Sequence, residues 1–306
     1  MRPPLVVVVG SSNTDMILRV EQVPRPGQTL LGGAFSSAAG GKGANQAVAA
    51  ARAGARVGFV ARVGGDALGA AAVAGYKAEG IDVSHVSRDP SQPSGVALIF
   101  VGSDGENIIG VAGGANQRLS PKHVAGAASL VARADIVLLQ LETPLPTVLA
   151  AASLAKRSAV PVILNPAPAR ALPNSLLSKI SILTPNETEA SVLTGVEVSD
   201  GASAARAAEV LRRRGVETVI VTLGAGGALV SDRDGARLIP GFKVKAVDTT
   251  AAGDVFNGAL AVRLAEGADL DQAVRFGHAA AALSVMRLGA QPSIPARARI
   301  DRRLGQ

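Results

Sequence analysis

Short apolar runs rich in valine and isoleucine alternate along this chain with longer, alanine-rich stretches of mixed polarity. The runs at 5–9, 57–63, 136–141, 160–164, 180–183 and 218–222 are nearly continuous in hydrophobicity and too short for helices. That pattern predicts parallel strands buried on both faces, because crossover helices cover each side of such a sheet. The stretches at 44–53, 67–79, 145–156, 202–213 and 273–286 predict helices. Their alternation predicts an α/β fold, a wound and mainly parallel central sheet with helices on both faces and right-handed crossovers.

Two segments break the alternation. Residues 17–35, with Pro24, Pro26 and Gly27 among them, have no helical period, and 96–111 read as two short strands around Ser103-Asp104-Gly105-Glu106. Asp-Gly between apolar strands marks a hairpin turn. The two insertions, about 14–36 and 95–112, predict a small β-sheet lid that closes over a ligand at the C-terminal ends of the main strands.

At 306 residues the chain is expected to form a single domain, 1–306, with that lid as an appendage. Hydrophobic residues make up 48% but aromatics only 2%, so the core is built from small aliphatic side chains and helices should approach closely. The lack of cysteine excludes disulfides, thiolate metal sites and a cysteine nucleophile, and fits a reducing compartment. A net charge of +7 raises a nucleic-acid reading, which needs basic residues gathered on one face, with aromatic platforms for single strands. Arg212-Arg213-Arg214 instead falls at a predicted helix end, and the tail from Arg297 to Arg303 reads as a solvated helix face. The charge is therefore taken as a general pull on anionic ligands, with no nucleic-acid partner. The run at 5–9 is too short for a signal peptide and meets Gly10-Ser11-Ser12-Asn13 at once; nothing else is long enough to span a bilayer. A soluble, cytoplasmic protein with no membrane partner is expected.

Candidate chemistry concentrates in Val247-Asp248-Thr249-Thr250-Ala251-Ala252-Gly253-Asp254, a side-chain-poor turn opening an apolar helix. Ala251, Ala252 and Gly253 leave backbone N–H groups uncovered at the positive end of a helix, which predicts a phosphate cradle with Asp254 as the base beside it. The plainer alternative is a helix cap. Burial would raise the Asp254 pKa while the helix mouth and a nearby cation would lower it, and the expectation is an ionised carboxylate at neutral pH.

Gly40-Gly41-Lys42-Gly43-Ala44-Asn45 also precedes a helix. It is not a nucleotide P-loop, because Ser36 and Gly43 stand where glycine and Ser or Thr are required, and no Gly-x-Gly-x-x-Gly follows the first strand. It remains a turn where ligand can touch backbone, with Lys42 and Asn45 as donors. Asn13 and Asp15 follow one strand and Glu142 another, at the ends where open α/β sheets bind ligands. Together these side chains suit a polyhydroxylated molecule, since each hydroxyl gives and takes a hydrogen bond. Thr184-Pro185-Asn186-Glu187-Thr188-Glu189 reads either as a capping box between Thr184 and Glu187 or as a place where Asn186 and Glu189 order a hydrated Mg²⁺. Thr222-Leu223-Gly224-Ala225-Gly226-Gly227 either cradles nucleotide phosphates or turns a hairpin. His278 reads as a core or surface histidine, and no partners are evident for His85 and His123.

These segments resemble the ribokinase-like family of sugar and nucleoside kinases, from Val6 to Pro295. The resemblance rests on GGKGANQAVAAARAGA at 40–55, NPAPAR at 165–170, TPNETEA at 184–190, VDTTAAGDVFNGAL at 247–260 and GAQPSIP at 289–295. It implies phosphoryl transfer from ATP to the 5-hydroxyl of ribose. The sugar contacts it implies are Asn13, Asp15, Gly41, Lys42, Asn45, Glu142 and Asp254, with Asp254 as base and an anion hole from the amides of Ala251, Ala252 and Gly253. Nucleotide contacts are implied at Asn186, Thr222, Gly224, Gly227, Gly253 and His278, the last toward adenine or its ribose, with Mg²⁺ near Asn186 and Glu189. It also implies an activating monovalent cation, K⁺, at Asp248 and at Thr250, Ser284, Arg287, Gly289 and Ser293, and a homodimer through the lid. The rival readings are a kinase of the same family for deoxyribose, fructose or a nucleoside, and a non-catalytic sugar-binding homologue.

Overall fold

A computed structural model describes residues 2–104 and 106–305. The first strand, β1 (Leu5–Val9), is buried along its whole length. Its residues divide by the two-residue period of a strand: Val7 and Val9 enter one apolar cluster, Val6 and Val8 the other. Burying one such valine stabilises by roughly 1.5–3 kcal/mol.

Two strands, β2 (Asn13–Arg19) and β3 (Ala34–Gly40), leave the main sheet before α1 (Lys42–Arg52) returns to it. β4 (Arg56–Gly64), α2 (Ala67–Ala78) and β5 (Asp82–Asp89) follow, then β6 (Gly95–Val101) and β7 (Asn107–Ala112). A 3-10 turn at Gly114–Arg118 leads into α3 (Pro121–Gly126), α4 (Ala128–Val131), β8 (Ile136–Leu139), α5 (Leu145–Arg157) and β9 (Val162–Leu164). Next come α6 (Asn174–Leu177), β10 (Ile182–Leu183), α7 (Glu187–Thr194), α8 (Gly201–Arg213), β11 (Thr218–Thr222), β12 (Ala228–Asp232) and β13 (Gly235–Ile239). The chain closes with α9 (Ala252–Ala265), α10 (Leu270–Ser284) and α11 (Arg297–Leu304).

The main sheet has nine strands in the order β13-β12-β11-β10-β9-β8-β1-β4-β5. All neighbours pair parallel from β11 to β5, and only the β11–β12 and β12–β13 pairings are antiparallel, so β12 alone runs against the rest. The apolar cluster on one face holds α1, α9 and α10 residues, and the other holds α5, α7 and α8, so the expected wound α/β architecture with helices on both faces is present. From β1 the chain first winds outward through β4 and β5, then returns beside β1 at β8 and winds the other way. The C-terminal ends of β1 and β8 therefore flank a topological switch point, where such sheets open a crevice.

A second sheet of four strands, β3-β2-β6-β7, stands apart. β2 pairs antiparallel with β3 and parallel with β6, and β6 pairs antiparallel with β7. Gly105, in the hairpin turn read from Asp104-Gly105, lies outside the described residues.

Several boundaries differ from the sequence reading. The strand expected at 136–141 ends at Leu139, that at 160–164 starts at Val162, and that at 180–183 is only Ile182–Leu183, because it is limited by its partners β9 and β11. The tail expected as a solvated face is α11, with Ile300 buried and Arg297 tied to Glu266, to Asp301 and to the carbonyl of Ala53. Arg214 likewise donates to Asn174 and to the carbonyls of Leu193 and Leu172. Among the described residues no helix is long and apolar enough to cross a membrane.

Candidate active site

The α9 helix opens at the crevice. Its cap residue, Ala251, takes the left-handed conformation at φ 60°, which turns the chain sharply enough to aim the first helical amides outward. The Ala252 amide donates to the Thr249 carbonyl at 3.2 Å, whereas no hydrogen bond within the described chain claims the amides of Gly253 and Asp254. Of the amides read as an anion hole, that of Ala252 is occupied, while those of Ala251 and Gly253 have no hydrogen-bond partner within the described chain.

Asp254 lies one residue further and is buried at 4% exposure. Its Oδ2 accepts from Asn45 Nδ2 at 3.0 Å and its Oδ1 from Gln46 Nε2 at 3.0 Å. Burial pushes its pKa above the ordinary carboxylate range; Lys42, Gln46 and Asn45 pull it back, and Glu142 adds to the rise. Asn45 keeps a buried Oδ1 with no partner, an acceptor aimed at nothing in the protein.

Lys42 occupies the first position of α1, where the helix dipole disfavours a cation. Burial also works against its charge, yet Asp254, Glu142, Glu189 and Asp15 together raise its pKa. It stands among all four carboxylates as a fixed positive charge. The turn before it is built to make room: Gly41 has φ 89°, and a Cβ there would meet the Asn13 amide at 2.6 Å. Gly40 is filled from the other side by the Asp15 carboxylate.

Asp15 is buried, and its pKa is pushed up to about 6 by burial and by Glu142 and Asp254, against the pull of Lys42. Glu142 Oε2 accepts from the Lys42 amide at 3.0 Å and from the Ser11 hydroxyl, so it caps α1 with one oxygen. Asn13 Oδ1 accepts from Asn116 Nδ2 at 2.8 Å; Asn116 also brackets Ser12 through its amide at 2.8 Å and its carbonyl at 3.1 Å. The structure thus gathers Asn13, Asp15, Gly41, Lys42, Asn45, Glu142 and Asp254 on one side of α1.

On the other side a cavity of about 190 Å³ is lined by Lys42, Asn165, Asn186, Glu189, Thr222, Gly253 and Asp254, among others. The capping box at α7 joins Asn186 and Glu189: Glu189 N donates to Asn186 Oδ1 at 2.8 Å and Asn186 N to Glu189 Oε2 at 3.0 Å. This corrects the Thr184–Glu187 alternative; Thr184 instead donates to Asn257 Oδ1 at 2.7 Å. Glu189 is pushed above its usual pKa by burial, which the Asn186 amide and Lys42 oppose. Gly224 and Gly227 turn β11 into β12, with a 3-10 turn at Gly224–Gly226, and only Thr222 of that segment lines the cavity. His278 does not line it; the ring is buried against Phe256, 5.1 Å between centroids, with Nε2 unpartnered and its pKa lowered to about 4 by burial.

Asp248 joins two loops, accepting from the Thr250 amide at 2.9 Å and the Gly289 amide at 2.8 Å. These bonds, opposing the upward push of burial, lower its pKa. The Ser284 carbonyl accepts from the Arg287 amide at 3.0 Å, and Ser293 ends the 3-10 turn that follows Gly289. His123, for which sequence offered no partner, sits at the start of α3 against Ser120 at 2.8 Å and Arg62 at 2.6 Å. His123 Nδ1 also accepts from the Ser120 amide at 3.1 Å, which closes a capping box at the start of α3.

Sequence reasoning passed over Gln46, Gln140, Asn165 and Asn116. The available signal was a polar pair, Asn45-Gln46, inside a helix otherwise made of small apolar residues.

A crevice at the switch point, a helix mouth with unclaimed amides, a buried carboxylate beside it and a polar cluster suited to hydroxyls define a small-molecule kinase. The chain belongs to the pfkB family of carbohydrate kinases, whose model matches residues 3–297. It is 50% identical to the ribokinase of Haemophilus influenzae over 292 residues, 95% of each chain. It is 39% identical to the deoxyribokinase of Salmonella typhi, again over 95% of each. Among solved structures, the Arabidopsis thaliana ribokinase complexed with ribose and ATP matches with a TM-score of 0.94 at 37% identity, over the whole of both chains.

Proposed function

We propose that this chain transfers the γ-phosphoryl group of ATP to the 5-hydroxyl of ribose, giving ribose 5-phosphate and ADP, in the cytoplasm. One observation carries the reading: a buried aspartate, held as an acceptor by two amide donors, lies at a helix mouth whose leading N–H groups are unclaimed. The acceptor hydroxyl lies against Asp254, which takes its proton as the oxygen attacks the γ-phosphorus. The amides of Gly253 and Asp254 meet the charge spread over the moving group's oxygens. Lys42 holds positive charge between sugar and phosphate. Asn13, Asp15, Glu142 and the orphaned Asn45 Oδ1 orient the sugar, and the relatives named for ribose and for deoxyribose set the substrate class.

Nucleotide phosphates occupy the cavity by Asn186 and Thr222. The contacts at Gly224, Gly227 and His278 lie outside that cavity, on the adenosine side of this reading. Mg²⁺ fits there: Glu189 keeps Oε1 free of hydrogen bonds inside the cavity, and no cluster of three or more metal-ligating side chains is present among the described residues. Mg²⁺ commonly relies on one or two carboxylates, water and phosphates. Bound with ATP, it would neutralise phosphate charge. A monovalent cation fits the loops joined by Asp248, where the carbonyls of Thr250, Ser284, Arg287, Gly289 and Ser293 supply oxygen donors. The four-stranded sheet acts as the lid over the sugar, within a single domain, and pairs with a second copy through its outer face.

The test is ADP release with purified protein across ribose, deoxyribose, fructose and a nucleoside. Ribose is expected to give the highest kcat/KM. Asp254→Asn should lose about a hundredfold or more in turnover with ATP affinity unchanged. Near-normal turnover in that variant would remove the base from its role.

A further inference from the structure

Three side-chain amides converge behind Asp254 from three separate elements. Gln46, wholly buried in α1, donates through Nε2 to Asp254 Oδ1 at 3.0 Å and to Asn165 Oδ1 at 3.1 Å. Its Oε1 accepts from Gln140 Nε2, just past β8, at 2.6 Å. Asn165 follows β9 and is anchored in turn to the Thr184 carbonyl at 3.4 Å. Turning the Gln46 amide over would put its carbonyl against the Asp254 and Asn165 oxygens, so both of those bonds would be lost; Gln140, whose Oε1 has no partner, can turn with it and does not itself set the direction. Only N–H can face Asp254 Oδ1.

Asn45, on the other oxygen, is under no such constraint. Its Oδ1 has no partner, so its amide can reorient and present either a donor or an acceptor to Oδ2. The two carboxylate oxygens are therefore unequal, one locked as an acceptor and one free to carry a proton.

We propose that Gln46, oriented by Asn165 and packed against Gln140, is a positioning residue that fixes Asp254 Oδ1 as an acceptor and directs the substrate proton to Oδ2. The proposal rests on Asp254 being the base. The charged groups facing that carboxylate are Lys42 from α1, Glu142 after β8 and Glu189 from α7, with Asp15 from β2, and none of them bonds to Oδ1. Gln46 is thus the sole hydrogen-bond donor on that oxygen among the described side chains.

The experiment measures kcat against pH, at saturating ribose and MgATP, for Gln46→Glu and Gln140→Leu. Gln46→Glu sets a second carboxylate against Asp254, so the acid limb should move up by about one pH unit or more, with kcat at neutral pH lowered about tenfold and the KM for ATP little changed. Gln140→Leu removes the donor on Gln46 Oε1 but keeps Gln46, and should move the limb in the same direction by less. Thermal melting of each variant checks folding, and Gln140→Leu decides if Gln46→Glu does not fold. Folded variants with an unmoved acid limb, losing only thermal stability or sugar KM, would overturn the proposal. Should Asp254→Asn keep its turnover, the reading of the base fails instead, and the two failures are told apart.

Discussion

Asp15 shows what the site costs at the scale of one residue. Its pKa rises from 3.8 to about 6, first through burial and then through repulsion from Glu142 and Asp254. The folded state therefore prefers the protonated carboxyl more than the unfolded chain does. The penalty for ionising it is absent below the unfolded value, grows from pH 3.8 to about 6, and is complete above that. Its full size is on the order of 3 kcal/mol. Asp15→Asn should melt higher than the parent by a margin that opens across that window and stays constant at higher pH. The same variant should raise the sugar KM about tenfold or more, since a charged acceptor is lost. A margin equal at pH 4 and pH 8 would show that the carboxylate is not strained. Asp15, Lys42 and Asp254 were legible in the sequence because each stands beside a glycine-rich or strand-end signal. Gln46, Gln140 and Asn165 were not, because each meets its partner only across the fold, 94 residues apart for Gln46 and Gln140 and 119 for Gln46 and Asn165.

At the scale of elements, Asp254 is placed by how closely two helices pack. Gly258 lies one turn after Asp254 on α9, and a Cβ there would meet the Ala49 Cβ at 2.6 Å and the Gln46 carbonyl at 2.8 Å on α1. The alanine-rich composition announced close helices, but the single contact that sets their spacing is visible only in three dimensions. Gly258→Ala should push α1 and α9 apart, costing about 1–3 kcal/mol in denaturant unfolding. It should also lower kcat while the KM for ATP holds, because Asn45 and Gln46 withdraw from the carboxylate. Unchanged kcat in a destabilised variant would mean that the placement of Asp254 tolerates the shift. The central strands were readable as apolar runs for the same reason that they are buried on both faces. The edge strands β5 and β13 were not, since their burial is partial and their sequences, DVSHVSRD and GARLI, carry the charges that protect an edge from further pairing.

At the scale of the whole molecule, the second sheet leaves large apolar side chains exposed. Strand register puts Phe35, Leu18, Phe100 and Ile108 in a row across the second sheet, with Met16 and Leu98 paired two residues further along on the same face. Phe35 is 67% exposed, Ile108 57% and Leu98 54%. On the opposite face lie Asn13 and Asp15, and there Val111 lines up with Asp15 through Ala97 and Ile109 with Ile17 through Ile99. The sheet thus carries Asn13 and Asp15 on one face, with Ile109 and Val111 exposed beside them, and the row from Phe35 to Ile108 on the other. A second copy of the patch, brought face to face, would bury it and stiffen the strand that bears Asn13 and Asp15. Phe35→Asp combined with Ile108→Lys should convert a dimer into a monomer by sedimentation, and should raise the KM for the sugar more than that for ATP. The asymmetry in KM separates loss of assembly from general damage, because the nucleotide side is held by α7, β11 and α9, which the patch does not touch. A parent protein that sediments as a monomer, or a double variant that remains dimeric, would rule out the outer face of the lid as the contact.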